Sequence, residues 1–246
     1  MTRPAYLLFG VVAYLIFFTT FLYLIGFVGN LPGVPLTLDH GGPAASVGAA
    51  VVIDLALIAL FGLQHSIMAR KGFKAAWTRI VPTPIERSVF VLVASAVLIV
   101  MFLLWRPIAD PVWAVENKAA TAVLWALFGL GWLIVLLSTF LISHFELFGL
   151  KQVWDNMRGG TVAEPVFRQP FFYRAVRHPL YVGFILAFWA TPAMTAGHLL
   201  FAAGMAFYIL VAIRFEERDL MQMFGAQYGE YRVRVGMLIP RLRRPT

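Results

Sequence analysis

The sequence contains no cysteine, and only 13% of its 246 residues are charged, about half the share found in an ordinary soluble domain. Without thiols there can be no disulfide, thiolate metal site, iron–sulfur cluster or covalent cysteine nucleophile. None of the five histidines stands three or four residues from another, the spacing of a helical metal site, so no metal is expected. A G-x-G-x-x-G loop is missing as well, which removes the Rossmann signature. No fixed-period repeat or low-complexity tract is visible.

What the chain has in abundance is apolar surface. Apolar residues make up 61% of it and the mean hydropathy is +0.80, more than a soluble fold of this length could hide. The composition defines an all-α, polytopic transmembrane helix bundle, read as one integral membrane domain over residues 1–246, with a four-span part (1–143) and a second part (144–246). A net charge of +8 would suggest nucleic acid in a soluble chain. Here membrane topology accounts for nearly all the basic residues, so the expected partner is the lipid bilayer and not nucleic acid.

Four uncharged or nearly uncharged runs, 5–29, 44–69, 88–105 and 119–143, are long enough to cross a core that needs about 20 helical residues. A fifth run, 180–213, would measure roughly 51 Å as one helix, too long for a core of about 30 Å. Pro192 and Gly197 break it at its middle, so the sequence predicts a tight hairpin of two short helices and six spans in total. Basic residues then divide 18 to 2 between alternate compartments, which places both termini in the cytoplasm. In the tail, Leu220, Met223, Phe224, Tyr228 and Tyr231 share one helical face opposite Arg218, Asp219, Gln222 and Glu230. That pattern predicts an interfacial helix interrupted near Gly225 and Gly229.

The densest polar constellation, Tyr173-Arg174-Ala175-Val176-Arg177-His178-Pro179-Leu180-Tyr181-Val182-Gly183, lies where a 35-residue stretch (144–178) enters span 5. Pro179 suits a first helical turn. The positive helix end, reinforced by Arg174 and Arg177, suits a carboxylate or phosphate. The hairpin returns Arg214-Phe215-Glu216-Glu217-Arg218 to the same membrane face, where carboxylates could take an ammonium or ribose hydroxyls. Snorkelling charges and a self-neutralising Arg–Glu network account for the same residues without any ligand.

Arg-His-Pro-x-Tyr-x-Gly, the hydrophobic hairpin, Glu-Glu-x-x-Leu, the Phe224-Gly225-x-x-Tyr228-x-x-Tyr231 run and Pro240 together resemble the C-terminal half of the isoprenylcysteine carboxyl methyltransferase superfamily. Upstream, Gln64-His65-Ser66, Glu86-Arg87, the 105–113 stretch and Ser143-His144-Phe145-Glu146-Leu147-Phe148-Gly149-Leu150 are more similar to two bacterial branches, the methanethiol S-methyltransferases and the NnrU-like proteins. The last of these stretches leans towards the first branch. The resemblance implies methyl transfer from S-adenosylmethionine, with Tyr173, His178, Pro179, Leu180, Tyr181 and Glu216 touching the cofactor, Glu217 substituting if the register slips by one, and further contacts near 165–168. It implies a small thiol, methanethiol, as acceptor and dimethyl sulfide as product. Where the prenyl-protein enzymes carry an arginine one turn before the first glutamate, this chain has Ala212, and its nearest basic residue is Arg214; the departure disfavours a carboxylate acceptor.

Attack of a thiolate on a sulfonium methyl neutralises charge, so a dry site favours it, and a base or a nearby cation must help generate the thiolate. His65 and His144 are the base candidates and Arg214 a further catalytic candidate, while Glu86 and Arg87, at the start of span 3, could order the cofactor or merely mark the helix end. Asp54 lies about 20° from His65 around a helix, close enough in angle to share the bundle interior and tune it, or to serve with it in structural hydrogen bonds. Another thiol, a prenylcysteine carboxylate or a lipid remains open as acceptor, as does a small transporter or an NnrU-like protein without enzymatic activity. Against a transporter, the first, third and fourth apolar runs contain no ionisable residue and the polar residues crowd onto one face.

Overall fold

In a computed structural model, residues 2–160 and 166–241 are described. The helices α1 (Arg3–Gly29), α2 (Val47–Met68), α3 (Lys71–Trp77) and α4 (Thr83–Leu104) lead to a short strand β1 (Pro111–Ala114). Then come α5 (Lys118–Ile142), α6 (His144–Leu147), α7 (Leu150–Arg158) and a 3-10 turn (Phe171–Arg174). The chain continues through α8 (Pro179–Trp189), β2 (Ala193–Thr195), α9 (Ala196–Phe224) and α10 (Ala226–Arg234). Prolines occupy the first turns of α1, α4 and α8, where their missing N–H costs nothing. The Asn117 side chain caps α5 by accepting from the Ala120 N–H.

Five helices, α1, α2, α4, α5 and α9, are long and apolar enough to cross a membrane, and the chain is an all-α integral membrane protein. The helix pair expected in 180–213 is present, with arms of unequal length. α8 has 11 residues, roughly 16 Å, shorter than the hydrocarbon core. α9 has 29, because no proline or glycine stops it between Arg214 and Gly225. Gly225, at φ +52°, ends it in a conformation that favours glycine. The tail helix is therefore interrupted once, and Gly229 lies inside α10.

The described residues form two compact units. The first comprises 2–114, 144–160 and 193–204, with α1 packed on α4 and α7, and α2 on α4. Phe27, Phe102, Trp105 and Phe201 form its aromatic centre, and the buried Trp105 indole donates to the Leu38 carbonyl at 3.1 Å. β1 and β2, unforeseen in the sequence, pair antiparallel. Thr195 of β2 and Asn30 after α1 both donate to the Asp39 carboxylate, at 2.5 and 2.6 Å.

The second unit comprises 115–143, 166–192 and 205–241. Its framework is the close crossing of α5 and α8. A Cβ placed on Gly131 would lie 2.6 Å from the Ala187 nitrogen and 2.8 Å from the Gly183 oxygen, so only glycine lets the two backbones meet. Trp132 fills the adjoining space against Phe184 and Phe188.

Candidate functional site

The polar cluster of the second unit is built where three pieces of backbone converge. After the 3-10 turn, Val176 forms a parallel bridge with Gly236. The N–H groups of Arg177 and His178 donate to Gly236 and Met237, at 2.8 and 3.2 Å, so the tail clamps the strand that feeds α8. Tyr231 of α10 adds a 2.6 Å hydroxyl bond to the Tyr173 carbonyl. Phe167 packs on Phe224, Tyr228 and Tyr231. Of the stretch 165–168 singled out from sequence, Pro165 lies outside the described residues.

Glu217 of α9 is the anchor of this cluster. Its buried carboxylate accepts from Arg177 Nε and Nη2, both at 2.7 Å, and lies 3.1 Å from His178 Nε2 and 3.3 Å from Arg232 Nε. Arg177 Nη1 also donates to the carbonyls of Arg232 and Val235, at 3.1 and 2.5 Å. Arg177 is thus neutralised and fully engaged, which corrects the expectation that it lends free positive charge to the start of α8. Arg174 is exposed and donates to the Gln169 carbonyl at 3.3 Å.

Glu216, one residue earlier, has a side chain 45% exposed. It pairs with the Tyr181 hydroxyl and lies 3.8 Å from His178 Nδ1, so the imidazole stands between two carboxylates. Pro179 opens α8, and the Leu180 N–H has no backbone acceptor among the described residues. Tyr181 N–H, by contrast, is already bonded to the His178 carbonyl at 3.1 Å. The Tyr173 hydroxyl is buried with no partner among the described residues. Burial first, then the neighbouring Glu216 carboxylate, pushes its pKa up, so the phenol stays protonated and able to donate. An open carboxylate, an orphaned phenol and an unpaired helix-start N–H can take hydroxyls or an ammonium on one side and an anion on the other. Arg214 is exposed on α9 and makes no ion pair with any described residue.

The remaining predicted residues belong to the first unit, in two clusters. His65 of α2 meets the Phe90 ring edge-on at 4.9 Å, and Arg87 stacks over the same ring at 4.7 Å. Arg87 Nε donates to the Leu147 carbonyl at 2.7 Å, while Glu86 turns to Lys74 of α3 at 3.1 Å. His65 Nδ1 is buried without a partner among the described residues. Asp54 does not serve it. Eleven residues of helix separate them by roughly 16 Å, and Asp54 instead accepts the Arg106 N–H at 2.9 Å. His144 Nε2 is 2.9 Å from the Tyr14 hydroxyl, a partner with no signal in the sequence, and its ring packs on Phe148. Gly149, at φ +87°, ends the motif where a Cβ would lie 2.6 Å from Ser88 Oγ, so the His-Phe-Glu-Leu-Phe-Gly stretch is fitted closely to α4.

Fold and cluster define a polytopic membrane protein with a tyrosine- and glutamate-lined polar site at the charged end of its last helix pair. Over 240 residues the chain is 52% identical to the methanethiol S-methyltransferase of Mycobacterium tuberculosis, covering 98% of each. It is 54% identical over 217 residues to that of Pseudomonas deceptionensis, covering 88% of this chain and 82% of the other. It is also 28% identical over 200 residues to Nurim of Xenopus laevis, covering 78% of this chain and 70% of that protein. No family model and no solved structure matches it. The chain belongs to the methanethiol S-methyltransferase family of integral membrane methyltransferases.

Proposed function

We propose that this chain methylates methanethiol to dimethyl sulfide with S-adenosylmethionine as donor, working at the cytoplasmic face of a bacterial inner membrane with both termini cytoplasmic. The observation that carries the site assignment is the division between the two glutamates: Glu217 is buried in ion pairs, while Glu216 is open and held by Tyr181. Glu216 is the acceptor for the donor's ribose hydroxyls or ammonium. The start of α8, with His178, Pro179 and the Leu180 N–H, receives the carboxylate, and Tyr173 and Tyr181 supply phenols and ring faces. When bound, the donor supplies an electrophilic sulfonium methyl.

The chain's own residues must align the thiol and remove its proton. His65 is the favoured base, because its Nδ1 is buried with no partner among the described residues and the Arg87 cation shares its aromatic neighbour Phe90, a setting that favours a thiolate. His144 is the lesser base candidate, Arg214 could lend a cation to the thiolate, and Glu86 could order the cofactor. The test is headspace detection of dimethyl sulfide from membranes given methanethiol and S-adenosylmethionine, beside binding of S-adenosylhomocysteine. Glu216→Ala should abolish both, and His65→Ala should abolish product while leaving binding. Binding without dimethyl sulfide in the unmutated chain would overturn the acceptor, and no binding at all would overturn the site.

A further inference from the structure

Beside the cluster, sharing Arg177 and Arg232 with it, the second unit contains a cavity of about 410 Å³ lined by Arg177, Met221, Gly229, Arg232, Val233 and Arg241. Three of the lining residues are arginines, and none of the described residues that line it carries a carboxylate. Arg177 is fully engaged by Glu217 and backbone carbonyls. Among the described residues Arg232 meets Glu217 through Nε and Arg241 reaches the Val233 carbonyl through Nη1, so each has further N–H donors for another acceptor. The floor at Gly229 is open, since a Cβ there would approach only the Met221 methyl, at 3.9 Å.

The rim has the opposite character. Of the lining residues Val233 is 69% exposed and Met221 is exposed too, and in the segment that leads to Arg241, Ile239 is 79% exposed and Met237 is exposed. Aliphatic side chains bordering arginines, directly after a membrane-spanning helix, match the boundary between acyl chains and phosphate headgroups. We infer that this cavity binds the phosphate of an anionic phospholipid headgroup, with Arg232 and Arg241 donating to the phosphate oxygens and Val233 and Ile239 seated among the first acyl carbons. Arginine forks suit phosphate oxygens, and anionic leaflets attract such clusters. The site lies on the α9–α10 segment that Glu217 fastens, so an occupying lipid stabilises that segment without contacting Tyr173, Tyr181 or Glu216.

The full-length protein in neutral detergent is titrated with dihexanoyl phosphatidylglycerol, dihexanoyl phosphatidylcholine or inorganic phosphate while its unfolding temperature is followed, since a ligand of the folded state raises it. Phosphatidylglycerol should raise it saturably. The apparent affinity should fall about fivefold in Arg241→Gln, and at least as far in Val233→Asp, which sets a carboxylate at the exposed rim. Both variants alter exposed side chains, and unchanged helicity and lipid-free melting verify their folding. Phosphatidylglycerol acting equally on all three proteins would overturn the site. Phosphatidylcholine matching phosphatidylglycerol would overturn the requirement for an anion, and inorganic phosphate matching it at equal concentration would overturn the lipid as its source.

Discussion

Removing the Glu217 carboxylate should loosen the whole C-terminal segment of the second unit. In Glu217→Ala, Arg177, 8% exposed, loses both 2.7 Å bonds to the one carboxylate it meets among the described residues and keeps the carbonyls of Arg232 and Val235. Stranding a buried charge in this way costs about 3–5 kcal/mol. The contact with the half-exposed Arg232 side chain adds no more than about 1 kcal/mol. Removing the neighbouring Glu216 carboxylate, 45% exposed, should cost about 1 kcal/mol or less by the same reasoning. Reversible unfolding in mixed micelles, followed by circular dichroism, separates these values. Limited proteolysis should cut between Gly225 and Arg241 first in Glu217→Ala. The double variant Arg177→Met, Glu217→Leu removes both charges together and should recover most of the loss, so the coupling energy is opposite in sign to the single losses and at least about 3 kcal/mol in size. A Glu217→Ala protein within about 1 kcal/mol of the unmutated chain, or additive losses in the double variant, would refute the claim that this ion pair holds the tail.

Gly183→Ala places a methyl 2.7 Å from the Gly131 oxygen and should destabilise the α5–α8 crossing by about 1–3 kcal/mol. Gly129→Ala, with nothing within 4 Å, should leave thermal unfolding unchanged. Tyr231→Phe removes the 2.6 Å bond to the buried Tyr173 carbonyl and should cost about 1–3 kcal/mol in the same unfolding experiment. Burial lowers the His144 pKa in the folded state, so the unfolded chain binds that proton first. Its contribution is complete above about pH 6.5 and is lost as pH falls towards the lowered folded value. Melting temperatures measured from pH 7.5 to 5 should therefore decline, and His144→Asn should flatten the slope.

The long spans were legible because a membrane helix needs only apolar length, and α1, α2, α4 and α5 begin and end within a few residues of the uncharged runs. The arms of the last pair were not, because composition marks where lipid ends but not where a helix ends. α9 passes from apolar to charged residues without a breaker and stops only at Gly225. The β1–β2 pair was invisible for another reason: seven strand residues carry too little alternation to stand out from a loop. Angular position suggested Asp54 for His65, but angle ignores rise. Three helical turns send Asp54 to the Arg106 backbone instead.

The adjacent glutamates show why motif residues have to be separated by geometry before roles are assigned. Consecutive positions on a helix point about 100° apart, so Glu216 and Glu217 cannot serve the same pocket equally. The tail decides between them. It folds back until Arg177 lies against α9, and Arg177 takes the inner carboxylate. The arginine of Arg-His-Pro is then explained as a structural clamp, and the histidine after it is held at Nε2 by that same carboxylate. What this packing leaves unused at the start of α8 is the Leu180 N–H and the half-exposed Glu216 carboxylate, which holds the buried Tyr181 hydroxyl. The proposed donor site gives these groups a use, because an open carboxylate beside a buried phenol that has no partner among the described residues serves structure less well than a hydrophobic pair would.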